Sequence, residues 1–180
     1  MDINCKDDKS FEVIDLVQIA LMAALTFAAT YALHIPIGSK AVLHLADSMV
    51  FLGALLLGKK KGFLSAALGM GLFDLLSPYA VWAPYTFVIK GVMAYIAATI
   101  IYSRNYNGKN FLINILGYGI AGVWMIFGYF IAGRFVYGNF ATAYADVPGN
   151  ILQVVAGMVI ALAIGNTVRT ALKKARISVK

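Results

Sequence analysis

Six apolar runs alternate with short polar connections along this chain, and nearly all its basic residues fall at its two ends or in every second connection. The runs lie at about 13–33, 45–57, 63–76, 85–102, 111–135 and 151–172. The longer ones match the 17–25 apolar residues a helix needs to cross a hydrocarbon core of about 30 Å. The second and third are short; a thirteen-residue helix rises only about 20 Å. A turn of three cations, Gly58-Lys59-Lys60-Lys61-Gly62, separates them. Those two runs could form one re-entrant hairpin instead of two crossings. Six crossings with the N-terminus inside leave only Lys40, Arg134 and Lys90 of the fifteen basic residues away from the inner side. The positive-inside rule is then met at every loop. A hairpin would put Lys59 to Lys61 outside or in lipid, which is costly. The expectation is an all-α integral membrane protein, a six-transmembrane-helix bundle with both termini cytoplasmic.

Composition agrees and removes other classes. Of 180 residues, 61% are hydrophobic and 13% charged, with mean hydropathy +0.80. That is more apolar surface than a soluble domain of this size can bury. One membrane domain over 1–180 is expected. The net charge of +7 lies in the inner connections rather than in a nucleic-acid patch. Cys5 is the only cysteine, which excludes an intramolecular disulfide framework. The start, MDINCKDDKSFEVID, lacks the apolar core and small-residue cleavage site of a signal peptide. Histidines 34 and 44 are a weak metal signal, and no cofactor is expected. No P-loop, GxSxG or HExxH is present, so neither ATP hydrolysis nor another enzyme activity is expected of the chain itself. No two-half inverted repeat marks it as a secondary carrier.

Polar residues within the runs gather toward the outer side, while the inner half reads as nearly all aliphatic and glycine. Asp47 and Ser48 begin the second run, Asp74 ends the third, and Lys90 lies one and a half turns into the fourth. Asn150 and Gln153 open the sixth, with Trp82, Tyr85 and Tyr129 at similar depth. Intramembrane ionisable groups usually face a partner, a cavity or a substrate path. An outward pocket with few polar anchors and aromatic walls suits a small, flat, polar ligand. The plainer alternatives are specific. Asp74 and Lys90 could neutralise each other across two helices. Asn150, after Pro148-Gly149, reads equally as an N-cap. Trp82 and Tyr85 could be interfacial belt aromatics. Trp124 is too deep for a belt, leaving core packing or the pocket floor. Gln153 has no capping role and is the stronger ligand candidate.

In the first run Ala20, Ala24, Ala28 and Ala32 recur every fourth residue. On a helix they form one nearly straight stripe of methyl groups. Small-residue stripes let helices approach closely in lipid. The stripe could serve the protein's own bundle or dock a separate membrane protein.

With that AxxxA motif, the phrases HLADSMVFLGALLLGKKKGFLSAALG, FDLLSPYAVWAPYTFVIKG and VPGNILQVVAG resemble the substrate-binding (S) components of energy-coupling-factor (ECF) vitamin transporters. The likeness is to the riboflavin-type, hydroxymethylpyrimidine and pyridoxine branch, over about 13–172. It implies a prokaryotic cell-membrane subunit that captures a vitamin outside, beneath the loop between the first two helices. It implies docking through helix one on a transmembrane coupling protein (the T component) driven by two ATPases. Carried onto this sequence, the resemblance nominates Trp82, Tyr85, Lys90, Asn150 and Gln153 for the substrate, with Trp124 and Tyr129 for stacking. It nominates Ala20, Ala24, Ala28 and Ala32 for docking. Pyridoxine or hydroxymethylpyrimidine is the expected substrate, since stacking rings and Asn/Gln hydrogen bonds suit small heterocycles. Riboflavin, a stand-alone secondary carrier and a non-transporting scaffold are the alternatives.

Overall fold

The computed structural model describes residues 11–32, 34–37, 41–44, 46–175 and 177. Its helices are α1 (Val13–Ala32), α2 (Ala46–Leu57), α3 (Lys59–Leu75), α4 (Ala83–Ile101), α5 (Phe111–Tyr137), α6 (Phe140–Ala145) and α7 (Val147–Lys174). Six of these correspond to the six expected runs; α6 is a single short turn of helix in the 137–148 connection, which reads from sequence as a loop. One β-hairpin joins α1 to α2. Its strands β1 (His34–Ile37) and β2 (Ala41–His44) pair antiparallel with His34 opposite His44. The loop expected there is thus partly ordered as backbone ladder.

Among the described residues, four stretches are long and apolar enough to cross a membrane: Val13–Ala32, Ala80–Ile101, Phe111–Tyr137 and Phe140–Lys174. The twelve residues of α2 rise only about 18 Å. Its surroundings explain how so short a helix is accommodated. Every residue of α2 except Met49 is buried, and it packs on α1, α3, α4 and α7. A helix apolar on all sides belongs in an interior. Wrapped in protein, α2 has no need to match the thickness of the lipid.

The three lysines turn out to be the first turn of α3 rather than a loop. Gly58 alone reverses the chain, at φ 79° and ψ −164°, a region essentially restricted to glycine. Cations at a helix N-terminus oppose its dipole. Lys61 is compensated by α1, donating to Asp15 Oδ1 at 2.8 Å and to Gln18 Oε1 at 2.7 Å.

Close helix approach through small residues holds the bundle together, as expected where lipid removes the hydrophobic drive between helices. A Cβ on Gly69 of α3 would lie 2.6 Å from the Ala23 carbonyl oxygen and 2.9 Å from Thr26 Cβ on α1. On Gly122 of α5 it would clash with Val154 of α7, and on Gly157 of α7 it would meet Asp47 Cβ of α2 at 2.7 Å. The α1 face in these contacts is Ile19, Met22, Ala23, Thr26 and Thr30, all buried. Ala20, Ala24, Ala28 and Ala32 are exposed. Among the described residues, the alanine stripe is therefore not packed against the protein's own helices.

The end of the bundle with the lysines is more polar than its sequence suggests. Asn114, Tyr118 and Arg169 are buried there. Asn114 Nδ2 donates to the Gly108 carbonyl at 3.0 Å, and the Tyr102 hydroxyl donates to the Leu55 carbonyl. Helix ends and turns that are buried must find partners for their carbonyls, and these side chains supply them.

Candidate functional site

At the opposite end, the N-terminus of α2 meets α4, α5 and α7. Lys90, about two turns into α4, donates through Nζ to Asp47 Oδ1 in the first turn of α2. Both side chains are 0% exposed. This corrects the direct Asp74–Lys90 pairing: among the described residues the Lys90 ion pair is with Asp47, while Asp74 hydrogen-bonds the Thr86 hydroxyl and feels the Lys90 charge from farther off. Thr86 in turn accepts from the Tyr129 hydroxyl at 3.0 Å. A buried ion pair holds only when both charges are matched, because desolvation costs several kcal/mol per ion. Oδ2 of Asp47 is buried with no hydrogen-bond partner among the described residues.

One aromatic ring faces this pair, and further rings pack outward from it. Lys90 Nζ lies 5.3 Å from the centroid of the Tyr129 ring, within cation–π range. Trp82, in the 3₁₀ turn Ala80–Trp82 that leads into α4, packs against Tyr85 at 6.5 Å, Tyr129 at 5.8 Å and Tyr137 at 5.5 Å between centroids. Trp82 is buried, so it is a wall of this cluster and not an interfacial belt residue. Tyr137 was not singled out from sequence. Its hydroxyl donates to Asp146 Oδ2 at 2.6 Å, tying the end of α5 to the start of α7.

The other nominated residues fall into place unevenly. Trp124 is half-buried and its indole N–H donates to the Ile89 carbonyl at 3.1 Å, so its polar edge joins α5 to α4. Gln153 is buried and lies one turn before Gly157, on the α7 face that abuts Asp47. Asn150 is half-buried and is not an N-cap. The α7 helix begins at Val147 with Pro148 in its first turn, where a missing N–H costs nothing, and Asn150 N–H already donates to the Asp146 carbonyl at 3.0 Å. The structure thus brings Trp82, Tyr85, Lys90 and Tyr129 into one cluster, with Gln153 on the helix face beside it. It adds Asp47, Thr86 and Tyr137, which lay outside the sequence nomination. Asp47 carried a signal there: a carboxylate opening an otherwise apolar run.

A separate cleft of about 140 Å³ lies between α1 and the α3–α4 connection, lined by Phe27, Tyr31, Phe73, Leu76, Ser77, Pro78 and Tyr79. Among the described residues, it shares none with the cluster and has no charged side chain to anchor a polar ligand.

Comparison with known proteins agrees with this architecture. The family model described as "ECF-type riboflavin transporter, S component" matches residues 10–170. The thiamine precursor transporter HmpT of Lactococcus lactis subsp. cremoris is 29% identical over 157 residues, covering 86% of each chain. An uncharacterized protein in a gap 3′ region of Pyrococcus woesei is 31% identical over 137 residues, covering 76% of this chain and 88% of that one. The solved S component of a bacterial ECF transporter has the same fold, with a TM-score of 0.71 at 20% identity, covering 88% of this chain and 97% of its own. This chain belongs to the ECF-type riboflavin transporter S-component family, the membrane-embedded, non-enzymatic substrate-binding subunits of vitamin transporters.

Proposed function

We propose that this protein captures hydroxymethylpyrimidine or pyridoxine at its outer end and delivers it by docking, through the alanine stripe of α1, on a transmembrane coupling protein driven by two ATPases. The carrying observation is the cluster at one end of the bundle: the Tyr129 ring beside the Lys90 ammonium, Trp82 packed on Tyr129, and Tyr85 packed on Trp82. It joins flat aromatic walls to polar anchors, which is what a small aromatic heterocycle requires. Gln153 and Asn150 approach from α7 with amide groups suited to ring nitrogens and hydroxymethyl groups. Likeness to a thiamine precursor transporter supports hydroxymethylpyrimidine, and the family's description favours riboflavin as a second reading. Exposure of Ala20, Ala24, Ala28 and Ala32 supports docking over internal packing. The distribution of basic residues supports cytoplasmic termini for one membrane domain in a prokaryotic cell membrane.

Two experiments test this. Titration of the purified protein with hydroxymethylpyrimidine, pyridoxine and riboflavin, followed by Trp82 and Trp124 fluorescence, is expected to show saturable quenching by one of the first two. Quenching by riboflavin alone overturns the substrate, and silence from folded protein overturns vitamin capture. Ala24→Leu with Ala28→Leu is expected to leave that titration unchanged and abolish ATP-dependent uptake in cells supplying the coupling module. Intact uptake refutes docking through α1.

A further inference from the structure

A carboxylate that is fully buried and half-satisfied stands apart from the rest of this molecule. Asp47 Oδ1 takes the Lys90 ammonium, while Oδ2 has no donor among the described residues. The side chain is 0% exposed, so bulk water does not make up the difference, and a buried acceptor left bare is costly. Nor can the side chain easily swing away. Its Cβ lies where a Cβ on Gly157 would be only 2.7 Å off, so α7 closes against it, and Lys90 holds its other oxygen. The surroundings are those of the candidate site: the Tyr129 ring is 5.3 Å from Lys90 Nζ, and Gln153 is one turn along α7 from Gly157.

We propose that Asp47 is a specificity-determining ligand residue of this site: its second carboxylate oxygen, oriented by Lys90, accepts a hydrogen bond from an N–H donor on the bound heterocycle. This inference rests on the reading of the outer cluster as the substrate site. A fixed, negatively charged acceptor selects an aromatic ring bearing an exocyclic amine, whose N–H groups are in the ring plane and have no competing acceptor role. It disfavours an otherwise identical ring that presents hydrogen or an acceptor at that position, because the oxygen then stays bare in the complex. Lys90 acts beside it as the positioning residue: its ammonium fixes Oδ1 and leaves Oδ2 for the ligand. Asp47 also opens α2 directly after the β1–β2 hairpin, so a ligand bound to it would sit at the foot of that hairpin.

The test uses the full-length protein in detergent, with hydroxymethylpyrimidine carrying its exocyclic amine and the analogue in which hydrogen replaces that amine. The wild type is expected to bind the aminated compound at least about tenfold more tightly, as for a lost hydrogen bond to a charged acceptor. Asp47→Asn combined with Lys90→Gln keeps an amide–amide contact without an unmatched buried charge. In that variant the preference is expected to collapse to within about threefold, since Asn can turn an N–H toward the ligand where a carboxylate oxygen stood. Equal binding of the two compounds by the wild type overturns the proposal without recourse to any variant. A preference retained in the folded double variant also overturns it, and assigns the amine to another residue. Failure of the wild type to bind either compound overturns the proposal; if the same protein then binds pyridoxine the site reading beneath it stands, and if it binds neither pyridoxine nor riboflavin that reading falls too.

Discussion

Removing one member of the Asp47–Lys90 pair is expected to destabilise the protein far more than removing both. Lys90→Met keeps the length and much of the apolar volume of the side chain but leaves a carboxylate with neither oxygen satisfied, in a place with 0% exposure. At a contact of about 3 Å and an effective dielectric constant of about 20, the Coulomb attraction lost is about 5.5 kcal/mol. Breaking a buried pair from one side costs about 3–5 kcal/mol, whereas replacing both partners with well-packed apolar residues is often neutral. Lys90→Met alone, and Asp47→Leu alone, should therefore lower stability by about 3–5 kcal/mol, and the combined variant should recover most of that loss. The assay is thermal unfolding of ligand-free protein in lipid nanodiscs, with Trp82 and Trp124 as reporters. Single variants as stable as the wild type would show that the two charges are not jointly desolvated. A double variant no better than either single would show that their cost is packing rather than charge.

Two further outcomes follow from the geometry. Gly69→Val would force a side chain into the α1–α3 seam, where even a Cβ lies 2.6 Å from the Ala23 carbonyl oxygen; overpacking of this kind costs about 1–3 kcal/mol, and crosslinking between a pair of cysteines introduced on α1 and α3 should fall relative to the same pair with Gly69 intact. Gln153→Ala should weaken vitamin binding by about 1–3 kcal/mol, roughly 5- to 150-fold, as for a buried polar partner removed, while Asn150→Ala, half-buried and nearer the helix start, should cost less; the reverse order in a fluorescence titration would refute the placement of Gln153 beside the ligand.

The parts of this fold that were legible in the sequence are those set by local chemistry. Apolar runs bounded by Gly, Pro and Lys mark helices, and Lys90 in the middle of one marks a buried charge in need of a partner. Which carboxylate it meets was not legible. Asp47 and Asp74 both sit at the same end of neighbouring runs, and only the rotation and crossing of α2 and α3 against α4 decide between them. The start of α7 was readable from Pro148, which favours a first turn, yet Asn150 competed for it as a conventional capping residue; the four-residue difference moves Asn150 into the helix. The β-hairpin left no clear sign because Pro36 and Gly38 mark a turn without saying whether the flanks pair. Burial of Asn114 and Arg169 was equally hidden, since both look like flanking residues until the turns that need them are built.

The arrangement also separates two tasks that a docking subunit must keep apart. Side chains of the outer cluster come from α2, α4, α5 and α7 and from the turn before α4, whereas the exposed alanines belong to α1, which rests on α2 and α3. Among the described residues, no member of the cluster lies on α1. A bulky residue on the stripe is therefore expected to leave the cluster undisturbed, and a change in the cluster to leave the stripe smooth. This separation is why loss of uptake with binding intact is the diagnostic result for Ala24→Leu and Ala28→Leu. If the stripe instead packed within the bundle, the same substitutions would displace α1 from Gly69 and Lys61, and stability would fall together with uptake.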